Sequence, residues 1–510
     1  MFKKKLKLSP IMTFIMLMFI TIIVSGLLHL FNVQAEYTTV NKVTSEFTNN
    51  VVEVNSLLSF SGIKHIVTTA VSGFVNFAPL STLIIVLIGI GILEKTGFIK
   101  TFFTVLTRNS KRYTITFILI LISLMFSILG DIGYVVMLPL GALLFKYGRR
   151  NPMGGIIAAF ASLTFGYSIN VFLSANDSSL LTMTLNAAKV LDPSYKIGIF
   201  FSLFIMLAVL VAVSILFTNI TEKKIMARLP RVDVESEEVK ITNKELRGLI
   251  VGLFLGIVYV LIVIYMIIPG LPLSGALLDS SGARYIDMLF GPNSLFNKGF
   301  IFIVTMLFVI VGLGYGIMTK TIKNNNDFAE SLGASLDGIG NVLVLLFFAS
   351  LFINVFEESN IGLVIVGWIS KIISSLSFTG VWLITITFIL VAIANVFCPS
   401  SIVKWNILSA SVVPVFMNAS ISPEFAQIVF AAGDSITNGL TPLLVYFVIY
   451  LAFMEKYNNT NDTMTLFGSL KYMTSYAAYV SIAWFVIIIG FYLIGIPIGI
   501  GSFPGVLYGA

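Results

Sequence analysis

Apolar runs of about twenty residues recur along the chain, separated by short clusters of charged and polar residues. A helix of that length spans a ~30 Å hydrocarbon layer, so the pattern predicts an all-α polytopic membrane protein. Continuous spans are expected at about 11–31, 78–96, 197–219, 246–269, 298–318, 328–357 and 473–499. Two further spans, 152–188 and 423–453, carry polar clusters inside apolar sequence: Gly166-Tyr167-Ser168-Ile169-Asn170 and Gly433-Asp434-Ser435-Ile436-Thr437-Asn438-Gly439. Both are expected to be interrupted near the membrane midplane, where unwound backbone offers free peptide groups to a ligand.

The apolar stretch 113–145 has Lys111 and Arg112 before it and Lys146, Arg149 and Arg150 after it. Basic residues collect on the cytoplasmic side, so both ends belong on one face and the stretch must turn within the membrane. Ser127 to Gly133, with two glycines and Asp131, is the expected turn of this first re-entrant hairpin. A second is expected at about 381–416, with Cys398-Pro399-Ser400-Ser401 at its tip. Placing Lys3, Lys4, Lys5 and Lys7 in the cytoplasm makes 32–64 an external loop and 221–247 a cytoplasmic one. Val33-Gln34-Ala35 mimics a signal-peptidase site, but the preceding apolar run exceeds the 7–15 residues of a signal core, so a retained first helix is expected. The sum is a single transport domain over 1–510, with about nine crossings and two hairpins.

Thr114-Ile115-Thr116-Phe117-Ile118-Leu119 recurs letter for letter as Thr385-Ile386-Thr387-Phe388-Ile389-Leu390. Ile92-Leu93-Glu94-Lys95-Thr96-Gly97 parallels Val355-Phe356-Glu357-Glu358-Ser359-Asn360, and Gly166-Tyr167-Ser168-Ile169 parallels Gly433-Asp434-Ser435-Ile436. The matches keep one order at similar offsets, and the expected topology gives the copies opposite directions. An inverted repeat, about 78–219 and 328–499, follows; with interrupted helices it is the architecture of secondary transporters.

Composition agrees with lipid as the main solvent: 57% of the 510 residues are hydrophobic and 11% charged. The +7 net charge reflects basic cytoplasmic loops rather than nucleic-acid binding. One cysteine, Cys398, excludes an intrachain disulfide, and two histidines, His29 and His65, form neither a zinc motif nor a plausible catalytic triad. Neither enzyme chemistry nor a cofactor is expected.

The chemistry therefore concentrates in the polar clusters. Ser168, Asn170, Ser435, Thr437 and Asn438 supply hydroxyls and amides, although such residues also hydrogen-bond neighbouring helices structurally. Asp131, Asp177 and Asp434 are intramembrane carboxylates, costly unless paired, wetted or protonated, and each suits Na⁺ or proton coupling; Asp177 has a helix-capping alternative. Lys404-Trp405 places a cation and an aromatic wall near the second break, with Trp405 either stacking on substrate or anchoring at the interface. Glu94 and Glu357 read as structural acids at helix ends.

The chain resembles the AbgT family of aminobenzoyl-glutamate transporters over nearly its whole length. The resemblance rests on Asn76-Phe77-Ala78-Pro79-Leu80, Gly89 to Gly97, Gly133-Tyr134-Val135-Val136, Pro139 to Ala142, Tyr167 to Asn170, Lys404-Trp405, Pro423, and Gly433-Asp434-Ser435 to Pro442. It implies a bowl-shaped homodimer in the inner membrane, with Asp177, Trp405, Pro423 and Asp434 functionally important. Substrate contacts are then expected from Ser168, Asn170, Asp177, Ser400, Trp405, Pro423, Asp434 and Asn438, and ion coupling from Asp131, Asp177, Asp434, Ser435 and Thr437. The implied activity is gradient-driven import of p-aminobenzoyl-glutamate-like folate catabolites or export of sulfonamide-type antimetabolites; a dicarboxylate or short-chain fatty acid symporter is the alternative. Two positions depart from the family pattern: Ala431 replaces an arginine and Ile402 a serine. With that arginine gone, the expected partner of Asp434 is a bound Na⁺, a proton or water.

Overall fold

The computed structural model of the chain describes residues 8–41, 46–171, 174–230, 241–282, 284–291, 293–458 and 464–505, with the Asp131 side chain excepted. Among the described residues nine helices are long and apolar enough to cross a membrane. Their identity differs from the sequence expectation in an instructive way. Seven fall on the expected continuous spans, but the remaining two are hairpin arms, Arg112–Leu129 and Gly380–Phe397. The expected spans 152–188 and 423–453 instead fall into short pieces, as their polar clusters predict.

The first hairpin runs Arg112–Phe126, turns through Ser127–Leu129 and Gly130, and returns as Asp131–Tyr147. Gly130 has φ +54°, a conformation that a Cβ would strain, and this permits the reversal. Its ends lie together, since Thr107 just before the first arm packs against Gly148 just after the second. The second hairpin pairs Gly380–Phe397 with Ser401–Asn418. Its first arm starts at Gly380 against Tyr492, which also packs on Phe425 just after the hairpin.

The Leu466–Ile494 helix shows that the two hairpins enter from opposite ends. Tyr476 shares a 2.7 Å hydrogen bond with Thr221 at the base of the first hairpin, whereas Tyr492 touches the base of the second. Sixteen helical residues separate them, which is about 24 Å at 1.5 Å per residue.

The order of elements in the first half recurs in the second. The Ala78–Lys95 and Gly340–Glu358 helices each end on a left-handed residue, Gly97 with φ +91° and Asn360 with φ +57°. Each then turns into a shorter helix, Phe98–Arg108 or Ile361–Ser374. A hairpin, a broken helix and a long closing helix follow in both halves.

The expected 32–64 loop is corrected. Gln34–Val40 and Phe47–Glu53 form an antiparallel hairpin, with Ala35 opposite Val52 and Tyr37 opposite Asn50. Its alternating apolar residues settle on the Ile361–Ser374 helix, where Trp368 Nε1 donates to the Gln34 carbonyl at 2.9 Å. A further helix, Phe60–Val75, precedes the expected 78–96 span and breaks from it at Asn76-Phe77 before Pro79. The expected 328–357 span also divides, because Gly338 at φ +75° separates Asn325–Gly333 from Gly340–Glu358. The 221–247 loop begins as a helical continuation, Thr221–Ile225; residues 231–240 lie outside the described residues.

Candidate functional site

The first broken helix comprises Pro152–Phe165 and Ala175–Leu191, and the second Pro423–Ser435 and Phe447–Lys456. Their breaks touch: Asn438 Nδ2 donates to the Thr164 carbonyl at 3.3 Å. Each break also meets its hairpin tip. Ser127 Oγ donates to Asn170 Oδ1 at 3.3 Å, and Ser401 Oγ donates to Asp434 Oδ2 at 2.5 Å. Four chain interruptions thus converge at the centre of the molecule, where irregular backbone is tolerated because protein surrounds it.

A cavity of about 610 Å³ opens at this convergence. Its wall includes Ser127–Gly130 of the first tip, Tyr167, Ser168, Asn170 and Ser174–Asp177 of the first break, and Ser401 of the second tip. Ser81, Thr82, Asn297, Phe290, Phe296 and Phe300 complete the lining. A narrow cleft of about 30 Å³, lined by Gln427 and Ala431, extends from Ser168, Asn170 and Asp177. Polar donors and acceptors together with phenyl rings in one lining suit a small molecule that is part aromatic and part polar.

Asp177 performs the capping role and also lines the cavity. Its carboxylate accepts from Ser174 N (3.0 Å) and Oγ (2.6 Å), while Ser174 Oγ accepts from Asp177 N at 3.1 Å, a reciprocal cap on Ala175–Leu191. Asn170 Nδ2 adds a bond of 2.9 Å to the same carboxylate. One acid therefore fixes the start of the second half-helix and ties it to the break before it.

Asp434 is fully buried, and the partner expected from the sequence is corrected. The ammonium of Lys404, also fully buried, forms an ion pair with Asp434 Oδ1 and donates to Asn395 Oδ1. Asn395 Nδ2 reaches the Asp434 carbonyl (2.6 Å), Thr437 Oγ1 (3.0 Å) and Asn438 Oδ1 (3.0 Å). Lys404 can do this because it lies one turn after Ser401, on the same helix face, at the start of the returning arm. Where the sequence suggested an ion, proton or water, the second hairpin supplies a lysine.

The other expected residues fall into distinct places. Thr437 Oγ1 donates to the Ala392 carbonyl at 3.0 Å, and Ser435 Oγ turns back to the Ala431 carbonyl at 2.8 Å. Ser400 caps its helix, accepting from Val403 N at 3.4 Å, whereas its neighbour Ser401 faces the cavity. Pro423 opens the Pro423–Ser435 helix, where its missing N–H costs nothing. Asp131 begins the returning arm of the first hairpin, and its side chain lies outside the described residues.

Trp405 is fully buried, 4.4 Å from the Phe430 ring, and its Nε1 donates to Thr184 Oγ1 at 2.9 Å. Thr184 in turn donates to Gln427 Oε1 at 2.6 Å, so Trp405 reaches the cleft through two side chains rather than lining it. Among the described residues no His, Cys, Asp and Glu cluster could hold a metal, and Asp434 is already engaged by Lys404 and Ser401.

Sequence reasoning named Ser401 only as part of a hairpin tip, not as a site residue, and missed Asn395, Thr184 and Gln427. A signal existed for two of them. Asn395 is an isolated amide in the apolar Gly380–Phe397 arm, and Ser401 and Lys404 stand three residues apart.

The chain is similar to known proteins. Residues 5–505 match the model of the AbgT putative transporter family. The p-aminobenzoyl-glutamate transport protein of Escherichia coli (strain K12) is 26% identical over 497 residues, covering 97% of this chain and 94% of that protein. The MtrF structure from Neisseria gonorrhoeae, reported as illuminating a class of antimetabolite efflux pumps, is 27% identical with a TM-score of 0.50, covering 98% of each chain. The YdaH transporter of Alcanivorax borkumensis is 26% identical with a TM-score of 0.49, covering 96% of this chain and 100% of that one. A family match over nearly the full length, on a chain whose broken helices and hairpin tips surround one central cavity, assigns the protein to the AbgT family of membrane transporters.

Proposed function

We propose that this protein is an ion-gradient-driven secondary transporter of small arylamine-containing organic anions, of the p-aminobenzoyl-glutamate type. The observation that carries this reading is the central cavity itself. Its phenyl rings suit an aminobenzoyl ring, and its Ser, Asn and Asp177 groups suit the amine and amide of such a molecule. The similarity to the E. coli p-aminobenzoyl-glutamate transport protein supports the same substrate class. Export of sulfonamide-type antimetabolites is the second reading. It is favoured by the absence of lysine, arginine and histidine from the described cavity wall, since an uncharged sulfonamide needs no cation.

We assign coupling to Asp434, a carboxylate fully buried at the second break beside the Lys404 ammonium, where any change of charge must be balanced within the protein. The basic residues flanking the first hairpin support a cytoplasmic side for that end, and the family resemblance favours a homodimer in an inner membrane.

Uptake of labelled p-aminobenzoyl-glutamate and of a labelled sulfonamide into proteoliposomes, with Na⁺ and H⁺ gradients imposed separately, tests the proposal. Accumulation of either compound that collapses with one gradient supports it. Gradient-independent, non-saturating flux of both would sink it in favour of a channel.

A further inference from the structure

An anion entering this cavity meets an electrostatic problem. The charged side chain that the described wall presents is Asp177, an acid. A fully buried cation, Lys404, lies just behind the wall: Ser401 lines the cavity, its hydroxyl bonds Asp434 Oδ2, and Oδ1 of that same carboxylate holds the Lys404 ammonium. One carboxyl group separates the cavity from this buried positive charge.

We propose, building on the transport reading above, that Lys404 is the anion site, and that a substrate carboxylate takes the place of the Asp434 carboxylate on the Lys404 ammonium. In that exchange Asp434 gains a proton from solution, forming an O–H bond, and no covalent bond of the substrate changes. The ammonium keeps one carboxylate partner throughout, so no step leaves it buried and bare, an arrangement that strongly disfavours buried ions. Asn395 remains on the ammonium through Oδ1 and holds it in place while the partner changes. Ser401 is the door, since its hydroxyl can turn from Asp434 Oδ2 to the incoming carboxylate. Substrate anion and proton are thereby bound together at one site, which gives the coupling a physical basis.

Titratable groups on the elements packed here include Glu424 at the far end of the Asp434 helix, Cys398 at the hairpin tip and Glu357 on the Gly340–Glu358 helix. Asp177 and Lys189 lie on Ala175–Leu191, Lys371 on Ile361–Ser374, and Lys471 and Tyr492 on Leu466–Ile494. Asp177 is already capped by Ser174 and Asn170, and Glu424 accepts from Tyr195 at 2.7 Å.

The test is calorimetric binding to purified full-length protein in buffers of different ionisation enthalpy, with p-aminobenzoyl-glutamate as the anionic probe and sulfanilamide as the neutral one. Wild-type protein is expected to take up a proton with the anionic probe and none with the neutral one. Lys404→Met combined with Asp434→Asn keeps the buried site uncharged and filled. It should shift the affinity ratio against the anionic probe by about tenfold or more, the value of one charge-assisted hydrogen bond, and abolish the proton uptake. Lys404→Arg, which retains the charge, should keep the preference for the anionic probe. An affinity ratio and proton uptake unchanged in the folded double variant would overturn the assignment. Wild-type protein that binds neither probe would overturn the arylamine reading and this assignment together, a distinct result.

Discussion

Replacing Asp434 by asparagine keeps the size of the side chain and one carbonyl acceptor but leaves the Lys404 ammonium, fully buried, without a counter-charge. Breaking a buried ion pair from one side costs about 3–5 kcal/mol, whereas exchanging both partners for uncharged residues of similar volume is close to neutral. Asp434→Asn should therefore lose about 3 kcal/mol or more and abolish gradient-driven accumulation, and Lys404→Met should destabilise to a similar degree. The double variant should recover most of the stability but not the accumulation. A double-mutant cycle on detergent-purified protein, read by thermal unfolding, isolates the interaction. Singles that melt several degrees below both wild type and the double variant are the expected result. Additive losses, with the double variant the least stable of the four, would refute the ion pair as the feature that makes Asp434 compatible with its site.

Three further predictions concern the frame around the site. In a Cys398→Ser background, cysteines introduced at Ser110 and Gly148 should label from one face of sealed vesicles, and those at Thr379 and Ala419 from the other; labelling of Ser110 and Gly148 from opposite faces would remove the first hairpin. Gly155→Ala should lower the melting temperature by the equivalent of about 1–3 kcal/mol, because its Cβ would strike the Gly141 carbonyl where the first hairpin packs on the first broken helix; an unshifted melting curve would show that this packing gives way freely. Glu222→Gln should destabilise the base of the first hairpin, where Arg150 pairs with Glu222 at 2.5 Å, donates to Thr116 at 2.7 Å and lies 4.0 Å over the Phe145 ring. Equal hydrogen-exchange protection at that base in wild type and variant would count against the cluster as a clamp.

The sequence by itself determined what depends on solvent and on local backbone chemistry. Apolar run length decides which segments can enter lipid, because every peptide group there must be satisfied within a helix. The Gly, Ser and Asn clusters at 166–170 and 433–439 decided where two of those helices break, and the basic residues on both sides of 113–145 decided that this stretch turns back. The nine-crossing expectation survived with its membership altered, because length and hydropathy cannot separate a hairpin arm such as Gly380–Phe397 from a spanning helix. The hairpin formed by Gln34–Val40 and Phe47–Glu53 was hidden, since its fold depends on the Ile361–Ser374 surface more than three hundred residues away. Only the tertiary structure could decide what faces the carboxylate of Asp434. Lys404 lies thirty residues earlier, on another arm, and charge pairing across helices has no periodicity in one dimension. The same holds for Ser401 over Ser400. Both are hydroxyls at one tip, and only the packed direction of the returning arm makes one a cap and the other a wall of the cavity.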